Sequence, residues 1–148
     1  MKKNGFFILL FSLSFLSCQA QQEFVKVEDS EVDKNKLEFA TSISNQILSA
    51  QKNGGFYALS IEEAIEAIVT GLDEKLQKDT YTQIKSLFGD YQGLEFDHLM
   101  RSVGEPSYEI YRFKGIFEKP ESEIEVRAVL DSEGKLAGFF IKPWQQQL

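Results

Sequence analysis

EVRAVLDSEGKLAGFFIKP, residues 125–143, is the stretch whose reading decides the fold. It continues an alternation that starts at Ile124. Ile124, Val126, Ala128 and Leu130 fall on one side, Glu125 and Arg127 on the other. A period of two belongs to a half-buried strand, here with the apolar set facing in and the charged pair facing out. DSEG at 131–134 follows, with Asp131 and Gly134 where a type I turn wants them. KLAGFFIK then places Leu136 and Phe140 on one side and Ala137, Phe139 and Ile141 on the other, until Pro143 stops it. Two alternating runs joined by a tight turn make an antiparallel hairpin.

Upstream, two more runs share this period. YQGLEFDHLM, residues 91–100, puts Leu94, Phe96, His98 and Met100 on one face. SYEIYRFKGIF, residues 107–117, puts Tyr111, Phe113 and Phe117 on one face and Ile110, Arg112 and Ile116 on the other. The links GEP (104–106) and KPES (119–122) are short enough for hairpins. Four strands in a meander are expected.

Before Tyr91 the period is helical. Leu37, Ala40, Ile43, Ile47 and Ala50 mark one buried helix face, closed by KNGG with Asn53 and Gly54 suited to a left-handed cap. Ser60 and Glu63 form a capping-box pair ahead of Ile61, Ala64, Ile65, Ile68 and Leu72. A third helix is expected from Asp79 or Thr80, with Tyr81, Ile84, Leu87 and Phe88 on one side and Gly89 past its end. Helices first and strands after describe a segregated α+β domain: three N-terminal helices packed on a curved, mainly antiparallel four-stranded sheet. It spans 36–143, behind a flexible tether at 19–35 and ahead of a tail at 144–148; the alternative within the tether is that EFVKVE, residues 23–28, adds an edge strand.

The first residues, MKKNGFFILLFSLSFLSC, read as a signal peptide at 1–18. Lys2 and Lys3 are its basic part and Phe6 to Leu16 a short apolar part, too short to span a bilayer. Phe15-Leu16-Ser17-Cys18 resembles a bacterial lipobox, which makes Cys18 a lipidation site. The alternative is cleavage after Ala20, leaving a soluble periplasmic protein. The expected location is therefore the cell envelope, as a membrane-anchored lipoprotein on the first reading, with contact to the membrane only through the N-terminal lipid.

On either reading the mature domain has no cysteine, hence no disulfide, and its core must hold it. Loss of Lys2 and Lys3 takes the net charge from −7 to −9. That acidity, without a Lys/Arg cluster, argues against a nucleic-acid partner.

Chemistry-bearing patterns are sparse. His98 is the single histidine. Its strand face, shared with Phe96 and Met100, points it toward the helices, as a core histidine or a cavity base. Asp97 alternates to the opposite face, so the pair is not expected to form a dyad. One histidine and no free thiol cannot make a zinc site, and no calcium or phosphate loop is present, so no metal or cofactor is expected. No serine sits in a nucleophile context. His98, Phe96, Met100, Tyr81, Tyr111, Phe113 and Phe139, with Tyr91 and Tyr108, are the candidates to line a cavity for a small apolar ligand. Their alternative role is plain core.

Element order and the closing motif carry a resemblance. Helices are followed by a G-x-Y step (Gly89, Asp90, Tyr91), an aromatic strand, and a penultimate strand ending in Asp131. A final strand of the form G-K-[apolar]-[small]-G comes last, with Gly134, Lys135, Leu136, Ala137 and Gly138, then Phe139, Ile141 and Pro143. Together these resemble a bacterial domain-of-unknown-function family with the ketosteroid-isomerase-like, nuclear transport factor 2-like cone fold, a cystatin-like architecture. The resemblance covers about residues 36–143. It implies no shared catalytic set, and no isomerase Asp, Tyr and acid set can be placed residue by residue. Members resembling it stand alone behind export signals or precede serine-hydrolase domains as accessory modules. Here only WQQQL follows the final strand, so a cone without a hydrolase is the expectation. The expected function is a non-catalytic binding or accessory module taking a small apolar ligand or an envelope protein. A self-associating homodimer is the alternative, and an isomerase- or cyclase-type enzyme the least favoured.

Overall fold

The computed structural model describes residues 23–119 and 123–146. Cys18, the rest of the expected signal segment, and residues 120–122 of the KPES link lie outside the described residues. The chain is α+β, as its periods dictate. Its sheet is antiparallel with strands in sequence order: β1 (Phe24–Lys26), β2 (Tyr91–Ser102), β3 (Glu109–Phe117), β4 (Ile124–Leu130) and β5 (Leu136–Pro143). That is five strands, not four. Phe24–Lys26, inside the stretch read as tether, pairs with Met100–Ser102, and the Val27 N–H donates to the Leu99 carbonyl. Val27 is buried in the core, which anchors the strand. The alternative reading of EFVKVE as an edge strand is therefore the one the structure shows, although three residues are too few to display a clear period.

Register shifts bend the long strands. One lies between Tyr91 and Gly93, another between Phe96 and His98, and a third opposite Val129 and Leu130 at Ala137. An extra residue opposite one partner bends a strand and re-aims the side chains that follow. Leu136 and Phe139 therefore both reach the core, although strict alternation assigns them to opposite faces.

The helix α1 (Lys34–Lys52) covers one sheet face with Ala40, Ile43, Ile47 and Leu48. Asp33 caps it by accepting from the Asn35 and Lys36 amides. At its end Gly54 takes φ +81°, Gly55 N–H donates to the Ala50 carbonyl, and Gly54 N–H donates to that of Gln51. This is a Schellman ending, with Gly54 as the left-handed residue.

The second helix is shorter than its stripe. Ser60 and Glu63 do make reciprocal bonds, Ser60 N–H to Glu63 Oε2 at 2.9 Å and Glu63 N–H to Ser60 Oγ at 3.3 Å. The chain then leaves the helical path. Ala64 bridges Leu136 in parallel: Leu136 N–H donates to the Glu63 carbonyl and Ile65 N–H to that of Leu136. The strand edge at β5 offers unpaired backbone groups that compete with helix continuation. Only Glu66–Gly71 forms α2, and Ile61 is 63% exposed rather than packed.

The third helix, α3 (Glu74–Phe88), begins earlier than Asp79. Asp73 is its cap, accepting from Leu76 N–H, and Glu74 is its first residue. Gln77, Tyr81 and Ile84 are buried, while Leu87 stays exposed. Tyr111, Phe113, Val126 and Ala128 meet these helices on the inner sheet face.

Candidate functional site

The outer sheet face, away from the helices, is the face that sequence alternation assigns to solvent. Its centre is instead buried: Glu125 has no exposed surface and Arg112 is 1% exposed. Register explains why a carboxylate sits there. Arg112 on β3 stands directly opposite Arg127 on β4, and like charges opposite one another repel. Glu125, two residues before Arg127 on the same face, accepts from both. Arg112 Nε donates to its Oε1 at 2.5 Å and Nη2 to Oε2 at 3.1 Å. Arg127 Nε donates to Oε1 at 2.5 Å and Nη2 to Oε2 at 3.3 Å. Burial pushes the Glu125 carboxyl up, but the two guanidinium groups outweigh it and hold it below its ordinary value.

The chain of contacts continues to β2. His98 Nε2 lies 3.2 Å from Arg112 Nη1, and His98 Nδ1 lies 2.5 Å from Asp97 Oδ2. This corrects two expectations. Asp97 is the partner of His98, and His98 does not face the helices. The cause is the bulge between Phe96 and His98, which breaks alternation at Asp97 and brings both side chains to the outer face. An arginine has only donors, so Nε2 must accept and Nδ1 must carry the hydrogen that Asp97 receives.

The segment after β5 lies across this chain. The Trp144 ring stands 4.6 Å from the Arg112 guanidinium carbon, 5.6 Å from Lys114 Nζ, and edge-on to the His98 ring at 6.5 Å. Arg112 Nη2 donates to the Gln145 carbonyl, and Lys142 Nζ to Gln145 Oε1 at 3.3 Å. Trp144 N–H is held by the Glu123 carbonyl at 2.8 Å. Beside this strap runs a groove of about 410 Å³, lined by Lys26, Asp97, His98, Met100, Lys114, Glu123, Trp144 and Gln146.

The expected cavity set divides between the two faces. His98 and Met100 line the outer groove. Phe96, Tyr81, Tyr111, Phe113 and Phe139, with Tyr91, belong to the core on the helix side. Phe96 sits 5.8 Å edge-on from Phe113, and Tyr91 5.7 Å from Phe117. Tyr108 joins neither group. His98 and Tyr111 are therefore on opposite sides of the sheet and do not converge. Arg112, Glu125, Asp97 and Trp144 are the residues that the sequence reading missed. The signal was the facing arginine pair, legible only with the register in hand.

A second buried carboxylate lies at the inner end of the sheet. Glu109 accepts from Lys36 Nζ at 2.8 Å and Arg101 Nη2 at 3.0 Å. Burial raises its carboxyl, and these two cations more than reverse that. Among the described residues no group of three or more His, Cys, Asp or Glu could hold a metal ion, and no helix is long and apolar enough to cross a membrane. Compared with protein-family models, curated proteins and solved structures, the chain matches none.

Proposed function

We propose that this chain is an exported, non-catalytic binding module of the bacterial envelope, anchored through a lipid on Cys18. Its ligand-contacting surface is the groove around His98, Met100, Lys114 and Trp144. In this reading the sheet and helices are a nuclear transport factor 2-like cone of the cystatin-like kind, and the bulges in β2 and β5 supply its curvature. One observation carries the non-catalytic part. An Asp–His pair has the form of a general base, but the nitrogen that would take a proton is already accepting from Arg112. A base in that state must first break a buried contact to act.

Two measurements test it. Intact mass of the mature protein should show a diacylated or triacylated Cys18 at the N-terminus; an unmodified start at Gln21 would remove the anchor. Nitrogen–proton NMR of the mature domain against a library of small compounds should give shifts concentrated on His98, Met100 and Lys114. Shifts confined to the inner face, or none, would remove the binding surface.

Self-association is the second reading. It is favoured by Ile116 and Phe140, which are 45% and 43% exposed on the outer face. Light scattering across a concentration series distinguishes it, since a monomeric mass throughout would rule it out.

A further inference from the structure

We propose that the outer face holds an oxyanion site, formed by Arg112 and Lys142 beneath Trp144 and Gln145, for a ligand carboxylate or phosphate. The inference rests on the reading that this face binds a ligand, and it names the chemistry of one end of that ligand.

The argument begins with charge. Glu125 is one carboxylate among three cations: Arg112 and Arg127 bond to it, and Lys142 is its directly paired neighbour on β5. Both Glu125 oxygens are taken up by guanidinium groups, which leaves Lys142 without a counter-charge there. Among the described residues no carboxylate lies within ion-pair distance of Lys142. An acidic protein that gathers excess positive charge in a partly buried place carries an electrostatic cost, and an anion removes it. The lowered pKa of Lys142 agrees: burial is the main cause, and the nearby Arg127 and Arg112 add to it against the opposing pull of Glu125.

Geometry adds the second part. Gln145 offers two neutral oxygens, its carbonyl to Arg112 Nη2 and its Oε1 to Lys142 Nζ. One residue thus occupies both cations with two neutral acceptors, where a charged oxyanion would compete. Charged acceptors bind such donors about twice as strongly as neutral ones. Replacement of Gln145 by an anion is therefore favoured, with Trp144 moving off Arg112 as it happens. Arg112 is already fixed by Glu125 and His98, so the anion meets a preorganised donor.

Trp144 is the only tryptophan in the chain, so its fluorescence reports on the strap directly. The mature protein is titrated with inorganic phosphate and, separately, with acetate, with ionic strength held constant by chloride. A saturable change in Trp144 emission is expected with at least one of them, and the stronger responder tells a phosphate site from a carboxylate site. Lys142→Gln should weaken the apparent affinity by about tenfold or more, the loss of one charge-assisted bond. Gln145→Ala keeps the lysine, removes the competing Oε1 and should tighten binding several-fold; it also serves if Lys142→Gln folds poorly. General salting effects act alike on all three proteins, so the differences read the site. Emission unmoved by both anions, or an equal response in Lys142→Gln and the parent, would overturn the proposal. Compound-induced shifts at His98 and Met100 without any anion response would sink the oxyanion site alone and leave the binding role standing.

Discussion

His98 Nε2 accepts from Arg112 Nη1 across 3.2 Å, while Asp97 Oδ2 holds Nδ1 on the other side of the ring. Three strands meet in this contact, because Arg112 is itself fixed by Glu125 on β4. The imidazole is thereby set in one tautomer. Nitrogen NMR of the mature protein near neutral pH should show the hydrogen on Nδ1 and a bare Nε2. In Asp97→Asn the acceptor of the Nδ1 hydrogen is weakened, so that preference should fall. An Nε2–H tautomer in the parent protein would contradict the assignment, and would free His98 Nδ1 for base chemistry.

Glu125 is the next consequence of the same network. Removing it leaves two guanidinium groups facing each other in a buried place, and breaking a buried pair in this way costs about 3–5 kcal/mol. Glu125→Ala should therefore lower the urea midpoint severely or prevent folding. Arg127→Ala, which leaves Glu125 its bidentate bond to Arg112, should cost less. Equal stability of Glu125→Ala and the parent would mean that the strap and solvent, not this carboxylate, neutralise the arginines.

The two buried carboxylates also set the acid limb of stability. Glu125 and Glu109 both have pKa values below the ordinary 4.5, because their cation partners outweigh burial. A depressed carboxylate binds its proton more readily in the unfolded chain, so its contribution is complete above the unfolded value. The contribution of these two groups should be complete above about pH 5, and stability should fall as pH drops through and below the ordinary carboxylate range. Urea midpoints across that window check this. Glu109→Gln should start less stable and show a shallower decline, and an unchanged slope would remove Glu109 from the account.

Much of the fold was legible because periods of two and of three to four are written into the strands and into α1. What escaped had a physical cause in each case. β1, read only as the alternative to a tether, is too short for a clear period. The stripe from Ile61 to Leu72 is helical in pattern, but the open edge of β5 at Leu136 takes the backbone of Glu63 and Ile65. The candidate site was hidden by a single bulge at Asp97. Strict alternation sends His98 to the core with Phe96, whereas one extra residue sends it to the outer face with Asp97 and Met100. Glu125 read as an outward-facing charge and Arg112 as part of one face of its strand, until register placed Arg112 opposite Arg127. Trp144, counted as tail, became meaningful only when the chain after Pro143 was seen to lie across those side chains.

Gln77 gives a test on the helix side. It is fully buried on α3 and ties the preceding loop in place. Its Oε1 accepts from Tyr57 N–H at 2.9 Å, and its Nε2 donates to the Tyr57 and Leu72 carbonyls, each at 2.8 Å. Gln77→Leu keeps the volume but leaves these backbone groups without the partner that satisfies them. A loss of about 2–3 kcal/mol is expected, with hydrogen exchange at Tyr57 N–H accelerated well beyond that at Ile43. A loss confined to global stability, with both amides affected alike, would show that Gln77 acts through packing and not by tying the loop.

Two glycines with positive φ should differ in what an added Cβ costs. Gly54 and Gly89 have nearly the same φ, +81° and +78°. A Cβ on Gly54 meets nothing within 4 Å, whereas one on Gly89 comes to 2.7 Å from the Glu118 Cβ. Gly54→Ala carries only the cost of the left-handed conformation, about 1–2 kcal/mol. Gly89→Ala costs more on two counts: φ +78° with ψ −166° is a region that essentially only glycine adopts, and the new Cβ must push back the stem of Glu118, whose carboxylate accepts from the Asp90 N–H. Its cost should reach about 2–4 kcal/mol. The loss should appear with faster exchange at Asp90 N–H, where α3 hands over to β2. If thermal denaturation finds the two variants equally stable, neither the backbone of Gly89 nor its close approach to Glu118 constrains that junction.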